Sequence, residues 1–199
     1  MKGQQEVLSV VLISGILIGV VGSVYFWGVP LVQKNKDVAM LEGAETFMKT
    51  LDTRLKYVAN NGGRDQLTVS VPGIVKFDPA ADTITLTIDT EGTIYASGAD
   101  IPLSRNSVCS ATTGVFGTDD PDVICVKSTK LSENKYRTVY TLKYLKLVNS
   151  NVIKDYSIAL QGTAKSGGQQ SRVSFENLGN TQVTSGRTLI STLIEINIV

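Results

Sequence analysis

The sequence predicts an α+β protein: a long N-terminal helix followed by an antiparallel β-sandwich or barrel-like head. Three observations predict it. An uncharged apolar run extends from Val7 to Val32. A one-sided apolar stripe follows without a break and ends near Val58. From Gln66 onward, short alternating runs of β-branched and aromatic residues are punctuated by Gly, Asn, Asp and Pro. The implied organisation is a leader at 1–3, a long helix at 4–62 with an apolar half (7–32) and an amphipathic half (33–60), and a head at 64–199.

The first run reads VLSVVLISGILIGVVGSVYFWGVPLV. At about 1.5 Å per residue it is long enough to cross a hydrocarbon layer roughly 30 Å thick. A secretory signal has a shorter apolar stretch and a small-residue cleavage site. This run instead closes with the bulky Tyr25-Phe26-Trp27 and with Pro30, so it is expected to stay in the mature chain. Gly15, Gly19 and Gly22, with Ser9, Ser14 and Ser23, place small residues at spacings of three to five. Gly15 and Gly19 form one G-x-x-x-G, a pattern that lets helix backbones approach closely. A single-span anchor with incidental glycines has the same composition, so bundle and anchor both remain open here.

In residues 33–59 apolar side chains fall at Val38, Leu41, Ala44, Met48, Leu51, Leu55 and Val58. Their steps of three and four fall on one face of an α-helix. Lys49, Asp52, Arg54 and Lys56 lie outside that stripe, and Asn60-Asn61-Gly62-Gly63 supplies a C-terminal stop. Only Pro30 interrupts the two halves, so one helix is expected from about Gln5 to Asn60 with a kink near Pro30. The apolar half has no partner in its own chain. The amphipathic half is expected to lay its stripe on the head.

Strands are expected at Leu67–Val71, Ile84–Ile88, Thr93–Tyr95, Ile124–Ser128, Tyr136–Val148, Val152–Leu160, Arg172–Phe175 and Leu189–Val199, an arrangement typical of sandwiches and barrels. Ile190, Ile194, Ile196 and Ile198, with Thr192, share one face, which places the last strand in the core. Tyr136, Tyr140 and Tyr144 also share a face and are expected to pack on the first helix. Lys165–Ser171 has the composition of an exposed flexible loop.

The composition excludes several function classes. Net charge is +1, so no nucleic-acid partner is expected. The chain has no histidine, which rules out Ser-His and Cys-His catalysis within it. No catalytic residue, metal site or cofactor is expected, and the protein is not expected to be an enzyme. Cys109 and Cys125 are the two cysteines, too few for a four-thiolate or mixed zinc site. The segment between them, SATTGVFGTDDPDVI, reads as a long loop joining two strands, and the pair is expected to form a disulfide, a bond that persists outside the cytoplasm. Asp119, Asp120 and Asp122 gather three carboxylates of the kind calcium accepts, but a solvated acidic turn is the commoner use, and the spacing matches no EF-hand loop.

A tiny leader ending in Lys2-Gly3, Gln4, a retained apolar helix running into an amphipathic one and a β head together resemble the archaeal type IV pilin-like proteins with a class III signal peptide. The resemblance is carried by residues 1–60. It implies cleavage by a prepilin peptidase between Gly3 and Gln4, then self-assembly from the membrane into a cell-surface filament, with the helices bundled inside and the heads outside. It makes Glu6, Gly15, Gly19, Gly22 and Pro30 the helix-packing residues, Glu6 pairing with a freed amine. Bacterial relatives place a Glu where this chain has Leu8. The alternative is a membrane-anchored accessory or envelope-binding protein, a minor pilin or stator-like component. Lys2 lies on one side of the apolar run and Lys34 and Lys36 on the other, so lysine placement does not favour an external head; the leader and the disulfide do.

Overall fold

The structure, a computed structural model, describes the backbone of residues 2–104 and 107–199 and the side chains of those from Ser9 on. Helix α1 spans Lys2–Asn61 without interruption, with Pro30 inside it. It ends where the sequence supplies residues tolerant of left-handed backbone: Gly62 and Gly63 have φ of 77° and 86°, and the Gly62 N–H returns to the Val58 carbonyl at 2.9 Å.

Among the described residues twelve strands follow, numbered in chain order, in two six-stranded sheets. The first sheet runs β1 (Arg64–Thr68), β11 (Arg172–Ser185), β12 (Arg187–Ile198), β9 (Lys154–Gly162), β8 (Lys146–Asn149), β5 (Thr113–Val115). The second runs β10 (Lys165–Gly167), β2 (Ile74–Asp78), β3 (Thr83–Thr90), β7 (Lys135–Tyr144), β6 (Asp122–Ser132), β4 (Asp100–Pro102). Pairing is mostly antiparallel; β12 with β9 and β5 with β8 are parallel.

One core joins the three layers. Ala44, Phe47, Met48, Leu51, Leu55 and Val58 of α1 meet Phe77, Leu86, Tyr140 and Leu142 of one sheet and Phe175, Ile194 and Ile196 of the other. Each fully buried Leu, Ile or Phe contributes about 1.5–3 kcal/mol, so the second half of α1 is part of the head.

Several sequence expectations are corrected. Asp52, assigned to the polar side, is buried at 4% exposure, and Phe47 joins the stripe. Residues 93–95 form no strand, whereas Lys165–Gly167 pairs with β2 and is no loop. The segment between the cysteines contains β5. The strand expected over 136–148 breaks at Leu145, because there the chain leaves the second sheet and enters the first: the Leu145 N–H bonds to the Pro121 carbonyl and Lys146 to that of Thr112. Strands β2 and β4 went unseen, and β11 runs ten residues past Phe175.

Candidate functional site

The candidate site is the first half of α1 and its junction with the head. Sixteen large apolar side chains between Val10 and Val32 are each at least 50% exposed. Leaving them in water costs on the order of 20 kcal/mol, so this surface requires lipid or protein around it. The helix is long and apolar enough to cross a membrane, with a mean hydropathy of 2.2 in its most apolar window. Two of its hydroxyls are satisfied within the helix: Ser14 Oγ donates to the Val11 carbonyl at 2.9 Å and Ser23 Oγ to that of Gly19 at 2.8 Å. Every polar group inside hydrocarbon must find such an internal acceptor. Gly15, Gly19 and Gly22 have no other part of the chain within 4 Å of where a Cβ would stand. Tyr25, Phe26 and Trp27 are exposed where the apolar run gives way to Gln33 and Lys34, the placement aromatic residues favour at a membrane–water boundary. Lys2, Gly3, Gln4 and Glu6, expected in processing and pairing, lie outside the described side chains.

From Gln33 onward the helix is bonded to the head by polar contacts. Asp37 Oδ2 accepts the Gly92 N–H at 2.8 Å, and its Oδ1 accepts Gln33 Nε2 at 3.2 Å. One turn further, Tyr140 of β7 donates its hydroxyl to the Leu41 carbonyl at 2.8 Å. Tyr95 donates to Glu45 Oε2 at 3.1 Å and sits 3.1 Å from the Tyr140 oxygen. Burial first, then the neighbouring Tyr95, pushes the Tyr140 phenol well up, so it stays a donor.

About three turns further, Lys56 Nζ lies 2.7 Å from Asp52 Oδ2 and 2.7 Å from Asp122 Oδ1. Tyr144 donates to Asp52 Oδ1 at 3.1 Å and Ser104 to Asp122 Oδ2 at 2.9 Å. Two buried carboxylates share one ammonium. Burial, then the Asp122 charge, pushes Asp52 up to about 6 against the opposing pull of Lys56. Burial works to lower Lys56, but hydrogen bonds to Asp122 and Asp52 outweigh it and raise it. At the helix end, Asn177 of β11 donates to the Val58 and Ala59 carbonyls at 2.9 and 3.1 Å, satisfying groups a helix terminus leaves open.

Sequence reasoning found the tyrosine face, and Tyr140 and Tyr144 do bond to α1. It missed Asp37, Asp52 and Asn177, because nothing in local periodicity signals a polar side chain whose partner lies far along the chain. Cys109 and Cys125 are joined; the bond ties the turn leading to β5 in the first sheet to β6 in the second. Two carboxylates of the acidic turn diverge: Asp119 Oδ2 accepts the Val115 N–H at 2.7 Å, while Asp122 turns inward to Lys56. Among the described residues, no three His, Cys, Asp or Glu side chains are arranged to hold a metal ion.

The fold and site define a class: a β-rich, disulfide-linked head carried on a helix long and apolar enough to cross a membrane. No family model, characterised protein or solved structure matches the chain.

Proposed function

We propose that this protein is a structural subunit of a type IV pilus-like cell-surface filament, of the archaeal class III signal peptide type, with apolar helix halves bundled in the core and sandwich-like heads outside. The single observation that carries the reading is the unbroken passage of α1 from an uncovered apolar half into the core of the head. A rod built this way transmits force from bundle to head without a flexible linker. The open surface at Gly15, Gly19 and Gly22 supports close helix approach, and the disulfide supports a head outside the cytoplasm. In this reading a prepilin peptidase cuts after Gly3, and Glu6 pairs with the amine freed on Gln4, since an unpaired charge in a dry bundle is costly.

The test is electron microscopy of filaments sheared from the native cell, with N-terminal sequencing of their subunit. Filaments containing this chain and starting at Gln4 are the expected result. An intact Met1, or a start beyond Pro30, overturns the reading. One observation favours the anchored accessory protein instead: Ser14 and Ser23 are satisfied within their own helix, so a lone span is stable in lipid without neighbours. Such a protein would remain in the membrane fraction and be absent from sheared filaments.

A further inference from the structure

Four strands end the two sheets, and each carries a device against pairing with another chain. Strand β1 has Arg64 and Asp65, β10 has Lys165, and β4 has Asp100 and Pro102. The Val115 N–H of β5 is covered by Asp119. None is longer than five residues. Short, charged or proline-bearing edges are how proteins avoid unwanted strand addition.

The outer edge of β11 beyond its bulge is neither short, charged nor proline-bearing. Strand β1 pairs with it only as far as Glu176. Past a bulge between Asn177 and Gly179, where Gly179 takes a φ of 95°, the strand keeps unbroken register with β12 to Ser185 on one side and, among the described residues, pairs with no strand on the other. No charged residue or proline occurs from Asn177 to Gly186, and residues 178–186 are all exposed. That exposure leaves the edge accessible to an approaching strand.

We propose that this edge pairs, antiparallel, with the same edge of a second copy of the chain. Two features select that occupant. The segment is uncharged, so identical copies do not repel. It is also self-complementary: pairing about Gln182 sets Thr181 opposite Val183 and Asn180 opposite Thr184, joining β-branched to β-branched and polar to polar residues across the strands. A two-fold contact is closed and cannot propagate along one helical filament. If the filament reading above holds, the contact therefore joins heads of different filaments side by side.

The test uses the full chain in detergent. The native cysteines are bonded to each other, so an introduced thiol is the only free one. Gln182→Cys should give a disulfide-linked dimer about tenfold more abundantly than Glu133→Cys, which places the thiol in the exposed β6–β7 turn. Adding Val183→Lys to Gln182→Cys sets a lysine in the pairing edge and should remove the dimer. Equal cross-linking at positions 182 and 133, or cross-linking indifferent to Val183→Lys, overturns the proposal. So does loss of the dimer on adding Gly19→Leu, since helix contact would then be its cause. Dimers that persist in a chain forming no filament sustain this contact while removing the filament reading.

Discussion

The carboxylate of Asp37 accepts the backbone N–H of Gly92 across 2.8 Å, with Asp37 only 3% exposed. Fifty-five residues separate the two, and the bond fixes where the bare part of α1 gives way to the part held by the head. Thr90 closes the same turn by donating to the Gly92 carbonyl at 2.6 Å.

Asp37→Ala leaves the Gly92 N–H without its acceptor. The expected loss of head stability is about 2 kcal/mol, with faster amide exchange at Gly92. Urea unfolding and hydrogen exchange of the full chain in detergent measure both. Unchanged exchange at Gly92 would mean that the contact does not fasten the junction.

The contribution of Asp52 to stability is expected to run opposite to that of an ordinary paired carboxylate. Its carboxyl is pushed up to about 6, against 3.8 as the ordinary value, so the folded state holds the proton more tightly than the unfolded chain. Its contribution to stability is therefore complete below about pH 4 and is lost as pH rises through about 6. A rise of about two units corresponds to about 3 kcal/mol. Asp52→Asn keeps the shape but cannot titrate. The stability of the Asn variant relative to the native chain should rise by about that amount from pH 4 to pH 8. A flat difference would refute the buried, shared-lysine account of this cluster.

Reduction of Cys109–Cys125 opens a closure of sixteen residues. In the chain-entropy model this costs about 3 kcal/mol, or on the order of 10 °C in melting temperature. Thermal melts of the full chain with and without reductant are the measurement. In undenatured protein from cells lysed with an alkylating agent, neither thiol should be labelled; full labelling would place the head in a reducing compartment.

Gly19→Leu should separate bundle from anchor. No atom outside its own stretch of helix lies within 4 Å of the added Cβ position, so the single chain accommodates it, and lipid accepts Leu readily. On the filament reading, expression in the native host should leave membrane levels normal while filaments disappear, because Leu would hold neighbouring helices apart. Unchanged assembly would favour the anchored accessory protein.

By itself, the sequence determined whatever depends on neighbours along the chain. The apolar run, the stripe from Leu41 to Val58, the stop at Gly62-Gly63 and the alternating strands β3 and β12 are all set by local period and turn chemistry, and they can be read directly. What only the tertiary structure decided depends on residues far apart in sequence. Asp52 reads as a surface residue until Asp122, Tyr144 and Lys56 surround it. Strands β4, β5 and β10 are three residues each and exist because a sheet edge lies beside them. Leu145 breaks a strand only because the chain changes sheets there, and residues 178–185 are strand because β12 returns along them. Short-range pattern carries burial and period; the partner that satisfies a buried carboxylate or completes a short strand is fixed by three-dimensional proximity, which local pattern does not encode.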